Sequence, residues 1–212
     1  MPSRPRIPVA LADAPLEPAE LEDGRVEERR LAEVDLREAS LRGVDFREVV
    51  IERGDLAGAE LDGGGFVDAA FVGANLANVR ARGATLMRVE LRGCRMTGLQ
   101  WAEGLWRSVL VTDCRADLVA LRHAKLEDVV FRDCLLTELD LVEARLRSVT
   151  FERCSLVRGD VRGARFQDVE LRGCELHDLR GADRLRGVRM PWPDIVQAAG
   201  LFAGAVGVSV AE

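Results

Sequence analysis

An apolar residue recurs at every fifth position from Leu31 to Leu176 without a single insertion. Most of these central positions hold Leu, Ile, Val, Phe or Met, and the residue two places earlier is nearly always Val, Ala, Cys or Gly. A period of five fits neither an α-helix, with about 3.6 residues per turn, nor a β-strand, with a period of about two. The chain is therefore a structural repeat, in which each five-residue unit buries two side chains against its neighbours in a stack.

The spacing of identical residues indicates how many units form one coil. Five cysteines lie 20 residues apart, and valines from Val89 to Val169 have the same spacing. Twenty residues are four units, so the pattern predicts a four-sided coil in which like residues stack directly above one another. At a ladder spacing of about 4.8 Å, roughly 7.5 coils make a rod of about 36 Å. The cysteines are Cys94, Cys114, Cys134, Cys154 and Cys174.

Units such as Ala39–Gly43 and Cys154–Arg158 resemble those of the pentapeptide-repeat proteins. The resemblance covers about residues 26–180. It implies an all-β fold, a right-handed quadrilateral parallel β-helix of about 7–8 coils with a short C-terminal helix. We expect a Pro-rich N-terminal arm or cap over residues 1–25 and a C-terminal capping or dimerisation helix within residues 181–212. Glycines two places after a centre, such as Gly43 and Gly163, are expected at turns with positive φ.

Two tryptophans depart from the pattern of aliphatic centres. Trp101 and Trp106 are large for interior positions, and the small residues Ala81 and Gly104 are placed to compensate for their volume. The alternative is that one indole turns outward and joins an exposed apolar patch. That patch would contain Leu105, Leu110, Leu118 and Leu135.

The cysteines are interpreted as a ladder of buried free thiols. Their number is odd, they point the same way in register, and no Cys-x-x-Cys pair or nearby His completes a zinc site. A reducing, cytoplasmic location agrees with that interpretation.

The sequence shows no catalytic constellation. It has two histidines, His123 and His177, and neither is spaced to pair with a Cys or Ser nucleophile. It has no glycine-rich phosphate loop, and a lumen filled by side chains leaves no deep pocket. We therefore expect a non-catalytic protein without cofactor or metal, whose function resides on its outer surface.

Outward charges supply the candidate partner surface. The net charge of −6 disfavours direct nucleic-acid binding. Acidic side chains gather in two regions, and cations stack in a third, where Glu127, Asp128 and Glu143 are the alternative, neutralising neighbours. The candidates are the acidic residues Asp55, Glu60, Asp62, Asp68, Glu138, Asp140, Asp160 and Asp178, and the basic residues Lys125, Arg145 and Arg165.

Beyond Leu179 the five-residue register ends. Pro191 and Pro193 stop the coil, and Asp194 is expected to cap a following helix. An apolar stripe on that helix covers either the last coil or a second copy of the chain. The segment is too short and too rich in glycine to favour a membrane span. The stripe consists of Ile195, Ala199, Phe202 and Val206.

Two functions remain open at this stage. The first is a rigid scaffold for protein–protein interaction with an unknown partner. The second follows only from the family resemblance, because some members bind DNA gyrase or topoisomerase IV and protect it from quinolones or peptide toxins by mimicking DNA. A nearly balanced surface charge and the absence of projecting loops between the units count against the second function.

Overall fold

Each coil of the computed structural model takes up 20 residues, so every residue lies beside the one 20 places further on. The structure describes residues 2–3, 5–7, 11–13, 15–16 and 21–209. Parallel pairs such as Phe46–Phe66 and Val89–Val109 confirm the predicted stacking of like residues. The chain forms a parallel β-solenoid of about eight turns with a short C-terminal helix, as the five-residue period predicts.

Continuous strands form two of the four sides, and isolated bridges form the other two. Strands β2 to β8 have eight residues each and bend at one corner, whereas pairs such as Asp55–Asn75 and Glu60–Arg80 join the remaining sides. The strands are β1 (Ala12–Asp13), β2 (Arg25–Ala32), β3 (Asp45–Glu52), β4 (Gly65–Val72), β5 (Thr85–Arg92), β6 (Leu105–Thr112), β7 (Lys125–Arg132), β8 (Arg145–Glu152), β9 (Arg165–Gln167) and β10 (Glu170–Arg172).

The four sides are named here by their apolar central positions. Side 1 holds position 46 and every twentieth residue to 166, and side 2 holds 51 and every twentieth residue to 171. Side 3 holds 56 and every twentieth residue to 176, and side 4 holds 61 and every twentieth residue to 161. A set of residues spaced by 20 along the chain is called a column, because its members stack along the axis of the rod.

Every unit ends at a corner residue with a left-handed backbone. This residue lies two places after the centre, and φ is positive at each such position from Glu28 to Asp178. Gly43 and Gly163 occupy corners with φ of 70° and 71°, as predicted, but Leu118 does the same with φ of 58°. The coil therefore imposes this conformation on every unit, and glycine fills only a minority of the corners.

The interior is packed with apolar side chains from all four sides. The rings of Phe46 and Phe66 stack with centroids 4.6 Å apart, and those of Phe131 and Phe151 with centroids 4.9 Å apart. Both tryptophans are interior, because Trp101 is 3% exposed and Trp106 is fully buried. The volume compensation expected for these indoles is therefore the correct alternative.

The outward apolar patch is not formed. With both indoles inside, only the four leucines remain at outward positions, and they are split between different sides of the rod. Leu105 and Leu110 lie on sides 1 and 2, whereas Leu118 and Leu135 lie on neighbouring coils of side 3. Residues that are close in sequence lie on different sides of the rod when a corner of the square coil separates them.

At the N-terminal end, a short strand extends the sheet beyond the first coil. Ala12 and Asp13 pair in parallel with Arg29 and Arg30 of β2. Leu16 and Leu21 pack against the core. The predicted arm over residues 1–25 also contains residues 1, 4, 8–10, 14 and 17–20, which lie outside the described residues, so its extent remains a prediction.

At the C-terminal end, the last coil is followed by a 3₁₀ helix (Ala182–Arg184) and two short α-helices, α1 (Trp192–Gln197) and α2 (Ala199–Ala205). The helix α2 contacts the 3₁₀ helix. Among the described residues, none of the helices combines the length and apolar character that a membrane crossing requires.

The expected capping role of Asp194 is wrong. Pro191 is the N-cap of α1, and no side-chain hydrogen bond caps that helix. The backbone N–H of Gly173 instead donates to Asp194 Oδ2 at 2.5 Å. At the equivalent corner one coil earlier, the N–H of Arg153 donates to the carbonyl of Arg172. The Asp194 carboxylate thus replaces the carbonyl that a further coil would supply.

Candidate partner surface

The inside of the solenoid leaves little room for a ligand. Near the C-terminal end, an apolar void of about 20 Å³ lies between side chains that include Leu139, Phe166 and Leu179. That volume admits a single water at most, and its apolar walls offer a water no partner. Among the described residues, no cluster of three or more His, Cys, Asp or Glu side chains is placed to hold a metal ion.

The five cysteines form one buried column and are all free thiols. Their Sγ atoms lie near backbone carbonyls, as in Cys134 Sγ to the carbonyl oxygen of Arg132 at 3.1 Å. Burial raises the pKa of the Cys174 thiol, which keeps it in the unreactive protonated form. All five cysteines lie on the same side of the coil, as their spacing of 20 residues predicts.

Many opposite charges pair along the columns, as the alternating signs of the column Arg92, Arg132, Glu152 and Arg172 suggest from the sequence. Arg88 pairs with Asp68 at 2.6 Å, and each residue of this pair is 20 places from the other. Arg107 pairs with Glu127 at 2.7 Å, and Arg158 with Glu138 at 2.8 Å, with the same separation. A second kind of pair forms within one unit, as between Asp35 and Arg37 at 2.6 Å. Hydrogen bonds from Arg37 lower the pKa of Asp35 to about 2.

Two of the candidate acids are buried rather than displayed. Asp68 is 6% exposed and Asp160 is 3% exposed. Asp68 accepts two hydrogen bonds from Arg88 and one from the backbone N–H of Arg6. Asp160 accepts bonds from the side chain and backbone of Arg162. These bonds hold the pKa of both carboxyls below the usual range, and neither acid presents a free charge to a partner.

The remaining acids of the first region differ in how far they are neutralised. Glu60 pairs with both Arg42 and Arg80, so its charge is compensated. Asp55 accepts hydrogen bonds from Asn75 Nδ2 at 2.9 Å and from a backbone N–H, and Asp62 accepts one from the backbone N–H of Arg82 at 2.7 Å. Neither Asp55 nor Asp62 has a close ion pair with a described residue, although Arg37 lies within electrostatic range of Asp55 and Arg82 within that of Asp62.

The second acidic region is divided in the same way. Glu138 pairs with Arg158, and Asp140 pairs with Arg122. Asp178 is exposed and lines a shallow depression together with Glu138, Arg158 and Arg180. The eight predicted acids are thus dispersed over several sides of the rod, and most of them are neutralised by a neighbouring arginine.

The three candidate cations form a continuous column on side 1. Lys125 pairs in register with Arg145, and Arg145 with Arg165. All three side chains are exposed. None of them forms an ion pair with a described residue, so the positive charges stack without compensation.

The acids expected to neutralise this column are engaged elsewhere. Glu127 pairs with Arg107 at 2.7 Å and with Arg147 at 3.2 Å. Asp128 accepts a hydrogen bond from Ser108 Oγ at 2.9 Å, and Glu143 lies 3.3 Å from His123 Nδ1. None of these three acids forms an ion pair with Lys125, Arg145 or Arg165, although Glu127 lines the same groove.

The predicted C-terminal stripe only partly matches the packed face. Ala198 and Leu201 pack against the core, whereas Ala199 and Val206 are exposed and Ile195 and Phe202 are partly buried. The stripe shifts because residue 198 interrupts the helix between α1 and α2, so one uniform helical period does not apply. Trp192 and Val196, which the periodicity did not single out, are 73% and 56% exposed.

Comparison with protein-family models gives two matches. A model described as pentapeptide repeats (8 copies) matches residues 30–63 and 66–98. A model described as a pentapeptide repeat region matches residues 117–180. No curated protein is significantly similar in sequence.

Solved structures give further similarities. QnrB1, a plasmid-mediated fluoroquinolone resistance protein, is 19% identical, with 89% of this chain and 92% of that chain covered and a TM-score of 0.37. HetL, a pentapeptide repeat protein involved in heterocyst differentiation regulation in the cyanobacterium Nostoc sp. strain PCC 7120, is 20% identical, with 79% of this chain and 90% of that chain covered and a TM-score of 0.32.

Proposed function

We propose that this chain, which belongs to the pentapeptide-repeat proteins, acts as a non-catalytic, rigid scaffold that binds another protein through its outer surface. The observation that carries the proposal is the interior, in which apolar side chains from all four sides fill the coil and the void near its end is only about 20 Å³. Polar and charged side chains are therefore available for recognition only from outside. A stack of hydrogen-bonded coils without loops holds them in fixed positions.

Side 3 offers the most direct test of this function. Leu118 and Leu135 are 54% and 50% exposed on neighbouring coils. Arginine already occupies the equivalent positions, at Arg158 and Arg115 of the same columns, so both leucines can be replaced by Arg without disturbing the coil. Covering an exposed leucine with a partner surface removes apolar area from water, and a charge placed at the same position opposes that burial.

The experiment compares partners retained by the immobilised parent chain, by the L118R/L135R variant and by the R92Q control. Arg92 is exposed and has no ion pair with a described residue, so R92Q changes the surface charge away from side 3. A partner identified by mass spectrometry is then purified and titrated calorimetrically. We expect saturable binding to the parent and to R92Q, with a large loss for L118R/L135R. If all three proteins retain the partner equally, side 3 is not the binding surface. If no partner binds the parent in a saturable way, the scaffold function is refuted.

A second copy of the chain is a further partner that we propose for the C-terminal end. Trp192 and Val206 are 73% and 77% exposed there. Sedimentation equilibrium of the parent is expected to show a dimer that W192E/V206E abolishes. The matched control is Gln197→Glu, which adds an acid at an exposed polar position of α1. A parent that remains monomeric at high concentration would contradict the dimer.

Gyrase or topoisomerase binding is the second candidate function. It is favoured by the net charge of −6 and by the carboxylates of Asp55 and Asp62, which form no close ion pair with a described residue. The test is a supercoiling assay of bacterial DNA gyrase with and without a fluoroquinolone. Protection that D55N/D62N weakens, but that Asp117→Asn leaves intact, would support it, because Asp117 is already paired with Arg115. The absence of both protection and inhibition at micromolar protein would eliminate this function.

A further inference from the structure

Like charges meet in register at a few pairs, such as Asp35–Asp55 and Arg95–Arg115, but the column of Lys125, Arg145 and Arg165 places three cations in succession. Elsewhere, the pairs Arg88–Asp68 and Arg153–Asp133 place opposite charges 20 residues apart. In this column three cations follow one another in register, and none has an ion pair with a described residue. Like charges on neighbouring strands destabilise a sheet, so this arrangement costs folding energy that opposite charges would avoid.

The earlier members of the same column show that the fold does not require cations here. Asp45, Gly65, Thr85 and Leu105 occupy the equivalent positions on β3 to β6. The column also contains Arg25 on β2, which pairs in register with Asp45, so three consecutive cations occur only at Lys125, Arg145 and Arg165. Their neighbours Glu127 and Glu143 are held by other residues.

The column lines a shallow groove with a mixed floor. The groove has a volume of about 510 Å³. Besides the three cations, it is lined by Arg147, by Glu127, whose carboxylate is shared by Arg107 and Arg147, and by the partly buried Phe166. A ligand in this groove meets positive charge along one wall and apolar surface at its C-terminal end.

We propose that this groove binds an extended acidic segment of a partner protein. The inference rests on the scaffold function proposed above and names the chemistry of the segment that the scaffold recognises. Two ladder steps separate Lys125 from Arg165 and span about 10 Å, which is the length of about three residues of an extended chain. Carboxylates at alternate positions of one strand share a face and lie about 7 Å apart, so two of them meet the column, and an apolar side chain at the next position of that face contacts Phe166.

The groove fits a polypeptide better than a nucleic acid. The carboxylate of Glu127 lines the same groove, and Asp128 and Asp168 occupy the corners that end side 1 on the same coils. A continuous phosphate backbone cannot avoid these carboxylates, whereas a peptide can place neutral residues opposite them. The net charge of −6 adds a general repulsion of long polyanions.

Binding is tested with a fluorescein-labelled ten-residue peptide of alternating Glu and Ala, followed by fluorescence anisotropy on the full chain. The same peptide with Gln in place of Glu and a ten-nucleotide oligothymidylate are the comparison probes. The test variant is K125Q/R145Q/R165Q. The control is R92Q/R95Q/R186Q, which removes three exposed arginines without ion pairs to described residues and reaches the same net charge.

We expect the parent to bind the Glu peptide with an affinity that falls as salt is added. The affinity should fall by about tenfold or more in K125Q/R145Q/R165Q and should be retained by the control. The melting temperature of the test variant should equal or exceed that of the parent, because repulsion is removed. A lower melting temperature would assign the cations a structural role and overturn the proposal. Tighter binding of the oligothymidylate than of the Glu peptide would overturn it in favour of nucleic acid.

The single lysine of the chain provides an independent readout. Lys125 is the only Lys in the sequence, so amine acetylation reports on this column without interference from other side chains. The Glu peptide should slow acetylation of Lys125, measured by mass spectrometry, relative to the terminal amine. If the Glu peptide neither binds nor protects Lys125, while the parent chain still captures a partner, the groove is refuted and the scaffold function is not. The scaffold function fails separately, when the parent captures no saturable partner.

Discussion

The indole of Trp101 fills the space that a side chain at position 104 would need. A Cβ atom added to Gly104 would lie 2.4 Å from Trp101 Cδ1 and 2.6 Å from the carbonyl oxygen of Ala84. Trp101 Nε1 donates a hydrogen bond to that same carbonyl oxygen at 2.9 Å. The glycine that the sequence suggests as compensation for Trp106 therefore makes room for Trp101.

Gly104→Ala is expected to destabilise the chain by about 1–3 kcal/mol, because a methyl group is forced against both the indole and a backbone carbonyl. Thermal melting measures the effect. In the double variant Gly104→Ala/Trp101→Leu, removal of the indole should restore part of the lost stability. The recovery is only partial because the carbonyl of Ala84 still lies close to the new methyl group. Gly200→Ala is the matched control, because nothing lies within 4 Å of a Cβ at that position. An additive double variant would contradict the direct contact.

The two tryptophans should respond differently to removal of the indole N–H. Trp101 Nε1 is hydrogen-bonded, whereas Trp106 Nε1 is buried without a partner among the described residues. Trp101→Phe leaves the carbonyl of Ala84 without its donor, while Trp106→Phe removes an unsatisfied donor. We expect Trp101→Phe to cost about 1 kcal/mol more than Trp106→Phe in urea unfolding. Equal losses would indicate that packing alone distinguishes them.

The buried acid Asp160 should make stability depend on pH. Hydrogen bonds from Arg162 hold its pKa below the usual value, and the unfolded value is about 3.9. Its contribution is complete above about pH 4 and is lost as the pH falls through the lowered pKa of the folded state. Asp160→Asn should therefore reduce the free energy of unfolding by about 1–3 kcal/mol at pH 7, and by less near pH 3.

The control for this experiment is Asp178→Asn, at an exposed acid without an ion pair to a described residue. Unfolding by urea at several pH values gives the comparison. A loss for Asp160→Asn that is the same at pH 7 and pH 3 would show that its ionisation is not responsible.

Leu118 and Leu135 allow the cost of the corner conformation to be measured. They are similarly exposed, but Leu118 has φ of 58° and Leu135 is not among the residues with positive φ. Glycine relieves the strain only at Leu118. Leu118→Gly should stay within about 0.5 kcal/mol of the parent, and Leu135→Gly should lose about 1 kcal/mol in urea unfolding. Equal losses would show that the corners are unstrained.

The cysteine column should be protected from thiol reagents in the folded chain. All five thiols are buried, with Cys174 the most accessible at 8% exposed. Burial raises its pKa, so even Cys174 should react far more slowly than a free thiol. Titration with a disulfide reagent is expected to show slow modification that begins at Cys174, and five rapid equivalents in urea. Modification that begins at Cys114 would contradict the order of the column.

The repeat pattern predicted the solenoid, its four sides and its stacked cysteines because inward positions recur with a fixed period. It could not predict which arginine neutralises which acid, since Asp160 has Arg162 in its own unit and Arg180 one coil further on. Two cues were nonetheless present, namely the Asp-x-Arg spacing of Asp160 and Arg162 and the position of Trp192 between two prolines. The stacking of Lys125, Arg145 and Arg165 was predicted from their spacing of 20.

The register failed at the C-terminal end because the periodic constraint stops there. Asp194 binds the corner N–H of Gly173, so its position follows from the missing coil rather than from helix propensity. The core-facing residues Ala198 and Leu201 likewise follow from contact with the last coil. Such contacts depend on tertiary structure, which local periodicity does not encode.

The uniform 20-residue coil also bears on how a chain of this kind changes length. Because residues 25–172 contain no loops between coils, an in-frame duplication or deletion of one coil would rejoin equivalent corners and leave the apolar lumen continuous. Each added coil would lengthen the rod by one ladder step and move the outer side chains as a block. Gene duplication can thus lengthen the molecule in whole increments while its two ends keep their own closures.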